Sequence, residues 1–389
     1  MANDVGSSPV SIVSTGSVHD DATQPQPGVA LCLSGGGYRA MVFHLGALWR
    51  LNELRFLHRL NRISSVSGGS ITAGLLGLEW SQLAFDANGV ATAFETQVVG
   101  PIRALASKTI DQGAILGGIF LPGSISEKVI AAYNKHLFAG RTLQDLPEEP
   151  RFVINATSVQ TGVLFRFSRP YLADYRVGMM PNPALELAVA VAASSAFPPM
   201  LSPCRIELDP NAWAPATGRK SEDLHREPFL SEAVLTDGGV YDNLGLETAW
   251  KRYQTVLVSN GGGKMQAEEE PHSDWARHAV RINDIIDNQV RSLRARQVIE
   301  AFKSGDRQGT YWGIRTCIDD YQLGNAIPCP EEQTIALANI ATRLQRMDDL
   351  TQERLINWGY AVCDAAIRKH VEPGAPPPPQ LPYPASGIG

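Results

Sequence analysis

The stretch Ile63-Ser64-Ser65-Val66-Ser67-Gly68-Gly69-Ser70 leaves the chain few ways to fold. Strand-type residues lead into it, and Ile71, Ala73, Leu75 and Leu76 leave it with the apolar surface of a helix, so strand passes to helix through a sharp turn. An elbow of this kind places the residue at its apex, Ser67, on a strained backbone and projects the side chain clear of both elements. Gly68 and Gly69 supply the backbone freedom and close approach that the turn needs. Ser65 stands where the first glycine of a G-x-S-x-G elbow usually sits, and its hydroxymethyl group crowds the turn slightly. The hydroxyl of Ser67 is a candidate nucleophile, although the same residues also suit an ordinary small-residue turn.

A second unit of the same type precedes it. Val29-Ala30-Leu31-Cys32-Leu33 is a continuous apolar run, the pattern of a strand covered on both faces as in a parallel sheet. Ser34-Gly35-Gly36-Gly37-Tyr38-Arg39 follows, and then Met41, Leu45, Leu48 and Leu51 recur at helical spacing. The glycines therefore lie between a strand end and a helix start, where unpaired N–H groups point at whatever negative charge sits above them. Three readings stand. The loop could cradle phosphates, but it has neither G-x-G-x-x-G spacing nor the lysine of G-x-x-x-x-G-K-[ST]. It could be a structural turn. It could also be an oxyanion hole built from Gly35, Gly36 and Gly37, and a right-handed crossover supports this by placing the Ser67 elbow on the neighbouring strand at the same sheet edge. Arg39 would hold the loop, bind a substrate phosphate, or lie on the surface.

Far downstream, the strand Ala233-Val234-Leu235-Thr236 ends in Asp237-Gly238-Gly239-Val240-Tyr241-Asp242-Asn243. An Asp-Gly pair is a common turn, yet a carboxylate at a strand's C-terminal end is held rigidly where strand ends converge. If Asp237 reaches Ser67, it can act as general base with no histidine between them. The histidines compete poorly. His44 falls inside the first helix and is expected to be packed, while His136, His225, His272 and His278 lack an orienting partner.

The chain of 389 residues, 19% of them charged, is long enough to bury a large core. Residues 1–27 read as a disordered tail with no secretory signal, 28–370 as the folded domain with a motif-bearing core over 28–260 and a helical extension over 274–370, and 371–389 as a proline-rich tail that does not fold. Helical patterns cover about 91–109 and 124–137. Between them, the glycine-broken apolar segment 113–123 reads as a buried loop or a mobile flap that touches lipid. Phe152–Ser158 and Val163–Phe167 make a hairpin, Leu185–Ala193 is a buried helix, and 210–230 is an exposed excursion. Thr255–Val258 and Gly309–Ile314 are strands, and two helices span 331–345 and 349–369. A long helix over 274–302 carries a local basic excess, read as a solvated face or as a contact for anionic head groups or a phosphate-bearing regulator. Five scattered cysteines without C-x-x-C spacing fit a reducing cytoplasm, and a net charge of −6 gives no general attraction to nucleic acid.

Taken together, Ser34-Gly35-Gly36-Gly37-Tyr38-Arg39, Ser65-Val66-Ser67-Gly68-Gly69 and Asp237-Gly238-Gly239 resemble, in order and spacing, the motifs of the patatin-like phospholipases, relatives of cytosolic phospholipase A2. The segment Ser194-Ser195-Ala196-Phe197-Pro198-Pro199 also resembles the family's stretch before its aspartate strand. The resemblance covers roughly residues 28–260. It implies a three-layer α/β/α fold with a mostly parallel central sheet, a Ser67 and Asp237 dyad, an oxyanion hole at Gly35 to Gly37, and hydrolysis of phospholipid acyl esters with no metal or cofactor. The expected enzyme touches membranes transiently from the cytoplasm, takes no nucleic acid as substrate, and leaves room for a small-molecule or phosphate-bearing activator and for a homo-oligomer. The alternatives are a phosphate- or nucleotide-binding regulatory protein and an esterase with a Ser-His-Asp triad.

Overall fold

Apolar runs too short for buried helices, each bounded by glycine or polar turns, assemble into one sheet. The computed structural model describes residues 24–110, 124–215 and 224–389. Its strands are β1 (Gln26–Leu33), β2 (Leu60–Val66), β3 (Arg151–Ser158), β4 (Leu164–Ser168), β5 (Tyr171–Asp174), β6 (Gly178–Pro181), β7 (Cys204–Glu207), β8 (Glu232–Asp237), β9 (Tyr253–Asn260) and β10 (Gln308–Gly313). The order β10-β9-β1-β2-β3 is parallel throughout. Beyond β3 the sheet continues antiparallel through β4, β5 and β6, while β8 also pairs with β3 and carries β7 on its outer side.

The helices are α1 (Gly37–Glu53), α2 (Gly68–Leu78), α3 (Gly100–Ala106), α4 (Ser124–Tyr133), α5 (Leu187–Ser194), α6 (Trp275–Ser304), α7 (Glu331–Ala338) and α8 (Asp349–His370), with one-turn helices at Gly239–Asp242 and Glu247–Trp250. Alternation along the parallel strands divides the core in two. Leu31, Leu33, Ile63 and Leu257 join a cluster containing residues of α1, α2 and α8, whereas Ala30, Cys32, Val256 and Val258 pack with Leu244, Leu246, Ala249 and Val298. Sheet and two helical layers make the three-layer fold that the sequence implied.

The C-terminal region is part of that core. α8 crosses α1 backbone to backbone: a Cβ on Gly46 would come within 1.9 Å of the Ile356 carbonyl oxygen, and one on Gly359 within 2.0 Å of that of Phe43. Asp364, 1% exposed on α8, accepts from Arg50 Nε and Arg368 Nε, each at 2.9 Å. The stretch after α8 is folded too, contrary to the expectation of a disordered tail. Asn357 Nδ2 donates to the carbonyls of Tyr383 (2.8 Å) and Gly387 (2.7 Å), and the Tyr383 ring meets Trp49 edge-on. A buried amide in α8 thus fixes the backbone of a stretch that its prolines keep out of regular structure.

Other boundaries shift. β1 begins at Gln26, inside the expected tail, because the Gln26 N–H donates to the Arg252 carbonyl; residues 1–23 lie outside the described residues. The segment 113–123 also lies outside them, as does 216–223 of the excursion. The helix expected over 331–345 ends at Ala338. The basic residues of α6 divide: Arg277, Arg296 and Lys303 are exposed, as a solvated face requires, whereas Arg281, Arg291 and Arg294 pair with Glu268, Asp287 and Asp242. Among the described residues, no helix is long and apolar enough to cross a membrane.

Candidate active site

The sheet register brings the two distant motifs together. β4 occupies one edge of β3, since it pairs with residues 154–157; β2 and β8 must therefore share the other edge. On that edge β2 runs parallel to β3 and ends with Val66 opposite Asn155, while β8 runs the other way and ends with Asp237 opposite Ala156. The two strands meet head to head at consecutive residues of β3. Ser67 follows the end of one, and Asp237 is the end of the other.

The elbow has the strain that its sequence predicts. Ser67 sits at φ 52° and ψ −120°, a region that non-glycine residues rarely adopt, and immediately precedes α2. Its N–H donates to Ser194 Oγ at 2.9 Å, and Ser194 in turn donates to the Asn155 carbonyl at 2.6 Å. Ser65, the departure from the usual elbow, is accommodated by a hydrogen bond, since its Oγ accepts from Ser70 Oγ at 3.0 Å. A Cβ on Gly68 would stand 2.1 Å from the Gly37 carbonyl oxygen, so the elbow and the glycine loop are in direct backbone contact.

Asp237 is 3% exposed and Ser67 6%. Asp237 Oδ1 accepts the Gly239 N–H at 2.7 Å. Oδ2 is buried without a well-formed hydrogen bond, and the Ser67 hydroxyl lies close enough to interact with the carboxyl as a donor. Burial pushes the carboxyl up to about 7; the Gly239 amide and the Ser67 hydroxyl hold it down, and the nearby Asp287 carboxylate adds to the rise. Such a group can hold or release a proton near neutral pH, as a general base must. Its backbone is fixed by Asp237 N–H to the Ala196 carbonyl (2.9 Å) and Gly238 N–H to the Ser194 carbonyl (3.2 Å).

The three amides of the glycine loop are placed differently. Gly36 and Gly37 take φ 144° and 59°, and no hydrogen bond to either N–H is found among the described residues. Gly35 differs. Its N–H donates to the Asn243 carbonyl at 3.0 Å, which removes it from the amides expected to face a substrate oxygen. Arg39 is 2% exposed: Nε donates to the Gly261 carbonyl at 3.2 Å, Nη2 to Thr342 Oγ1 at 3.0 Å, and Nη1 to the Ile340 carbonyl. It braces the loop, and the alternative of a substrate-phosphate contact is not met in this arrangement. Burial, with Arg291 and Arg315 nearby, lowers its pKa to about 10, which still leaves it charged.

No histidine joins the site among the described residues. His44 is buried, with Nδ1 2.8 Å from Ser259 Oγ and Nε2 2.9 Å from the Ser34 carbonyl, and burial lowers its pKa to about 4. It is a neutral packing group. Three supporting residues escaped the sequence reading: Ser194, which holds the elbow; Asn155, whose Nδ2 donates to Ser65 O and Ser64 Oγ; and Asn243, which takes the Gly35 amide. All three lie in stretches that the sequence reading quotes for other reasons, a resemblance, a hairpin and the aspartate motif, and nothing in sequence singles out their own polar groups. Among the described residues, no three His, Cys, Asp or Glu side chains converge where they could share a metal ion.

A family model described as patatin-like phospholipase matches residues 31–250. No curated protein matches the chain. Among solved structures, human GIVD cytosolic phospholipase A2 is 14% identical, with 63% of this chain and 49% of that one covered and a TM-score of 0.39. The same human protein in complex with methyl gamma-linolenyl fluorophosphonate and terbium chloride is 15% identical, covering 87% and 58%, with a TM-score of 0.47. VipD from Legionella pneumophila is 17% identical, covering 87% and 66%, with a TM-score of 0.32. The chain thus spans between 49% and 66% of the length of these three structures.

Proposed function

The chain belongs to the patatin-like phospholipase family, and from that premise we propose that it is a serine acyl hydrolase cleaving fatty-acyl esters of membrane phospholipids through Ser67 and Asp237. The observation that carries the reading is the head-to-head meeting of β2 and β8, which sets a strained serine beside a buried carboxyl with a spare oxygen. Ser67 Oγ attacks the ester carbonyl carbon while its proton passes to Asp237. The carbonyl oxygen becomes an oxyanion and accepts from the Gly36 and Gly37 amides. Collapse of the tetrahedral centre breaks the bond to the lipid alcohol, which leaves with the proton from Asp237. Water then gives a proton to Asp237, attacks the acyl-serine, and releases the fatty acid as Ser67 recovers its proton.

The test is turnover on phospholipid vesicles. Ser67→Ala and Asp237→Asn each lower kcat by about three orders of magnitude or more, with the fold intact by circular dichroism. Substantial hydrolysis by a folded Ser67→Ala protein ends the assignment. Restraint of the enzyme until a signal arrives is a further part of the proposal, motivated by the damage that an unrestrained lipase does to its host. Full activity of the pure wild-type chain on membranes with no added factor removes that part alone.

A further inference from the structure

β2 and β8 meet end to end on one edge of β3, and no ladder joins them: among the described residues β2 pairs with β1 and β3, and β8 with β3 and β7. The position of the Ser67 hydroxyl relative to the Asp237 carboxyl is therefore not set by pairing between the strands that carry them. Ser194 bridges the two ends. It is the last residue of α5, where helix carbonyls run out of partners within the helix. Its carbonyl accepts the Gly238 N–H at 3.2 Å, directly after Asp237. Its hydroxyl accepts the Ser67 N–H at 2.9 Å and donates at 2.6 Å to the carbonyl of Asn155, the β3 residue opposite the end of β2. One fully buried residue thus touches the elbow, the aspartate turn and the strand that both share.

The neighbouring serine shows that this is not the usual habit of a hydroxyl at a helix end. Ser195 Oγ bonds back to the Val191 carbonyl four residues earlier, at 2.7 Å. Ser194 instead gives its proton to another element, and its oxygen takes the amide of a residue that stands at φ 52°. Backbone in that region persists only where its surroundings over-determine it. Removal of the Ser194 hydroxyl leaves the amide of a nearly buried residue without its partner, and the strained elbow is then free to relax away from the carboxyl. The carbonyl of residue 194 remains, so the aspartate turn keeps its bond.

We propose that Ser194 is a positioning residue for acyl transfer, whose hydroxyl and carbonyl together fix Ser67 Oγ relative to the Asp237 carboxyl. The proposal deepens the acyl-hydrolase reading and rests on it for the kinetic consequence; the hold on the elbow is tested without turnover. Three variants are compared with wild type: Ser194→Ala, Ser194→Cys, which fills the same space with a weaker acceptor, and Ser195→Ala, which removes a buried hydroxyl one residue away. Turnover of a water-soluble short-chain ester is measured per folded molecule, and hydrogen exchange of the peptide containing the Ser67 amide is followed by mass spectrometry. Ser194→Ala lowers kcat by about tenfold to a hundredfold and leaves KM within about twofold. Ser194→Cys falls between it and wild type, and Ser195→Ala stays within about threefold of wild type. Exchange at the elbow quickens by about tenfold or more in Ser194→Ala and not in Ser195→Ala. The proposal is overturned if Ser194→Ala keeps kcat within about threefold, if Ser195→Ala slows turnover as much, or if the elbow exchanges at the parental rate. Should Ser194→Ala fail to fold, wild-type kcat and exchange in Ser194→Cys overturn it. A wild-type chain that hydrolyses no ester, but whose elbow responds to Ser194→Ala as stated, contradicts the dyad and leaves the hold of Ser194 on the elbow standing.

Discussion

Asp237 ties pH to both rate and stability. With its carboxyl raised to about 7 by burial, it is protonated at lower pH and cannot accept the Ser67 proton. The log of kcat/KM on a soluble ester therefore rises with unit slope below about pH 7 and levels above it. The same shift opposes folding. An unfolded aspartate titrates near 3.9, so between about pH 4 and 7 the native state binds the extra proton, and stability falls as pH rises through that window. Asp237→Asn removes the penalty. Urea titrations show it more stable than wild type at pH 8, by on the order of 2–4 kcal/mol, and the gain vanishes near pH 4; a gain independent of pH contradicts the assigned burial. Ser67 has its own signature. At φ 52° a glycine relieves strain that alanine keeps, so Ser67→Gly is more stable than Ser67→Ala by about 1 kcal/mol in the same titration. Ser67, Asp237, Gly36 and Gly37 were legible because each sits in a local motif whose geometry is set by its immediate neighbours. Ser194 and Asn243 act across the fold, and single-residue chemistry gives them no mark.

At the scale of elements, the ionic link between α1 and α8 makes the sharpest prediction. Asp364 is buried between Arg50 and Arg368, so Asp364→Ala leaves two guanidinium groups without their shared partner. Losing one member of a buried ionic cluster costs about 3–5 kcal/mol. Thermal and urea unfolding of Asp364→Ala are expected to show that loss, and a loss below about 1 kcal/mol would mean the helices are held by their apolar contacts and glycine crossing alone. β1 and the buried helix α5 were legible from continuous apolar runs. β5, β6 and β7 were not, because four residues are too few to display a period. α6 was legible as a helix, but its orientation was not. The partners of its arginines, such as Asp242, lie on other elements, so a face that pairs inward looks the same in sequence as one that meets water.

For the molecule as a whole, the order of strands is what converts separate motifs into a site. Sequence placed Ser67 and the glycine loop on adjacent parallel strands, and β1 and β2 are so paired. It also placed Asp237 at a strand end, but the antiparallel return of β8 along the free edge of β3 was not readable, because nothing in β8 itself states which strand it joins. The end-to-end arrangement is the way in which the two strand ends converge. The C-terminal region, which carried no motif, proves to complete the core through α8 and to brace the glycine loop through the Ile340 carbonyl and Thr342. The most direct measurement of the central claim is reaction of the purified chain with a fluorophosphonate probe, followed by peptide mapping. The predicted result is one adduct on Ser67, formed much more slowly in Asp237→Asn; an unlabelled chain, or an adduct on another residue with Ser67 untouched, would contradict it.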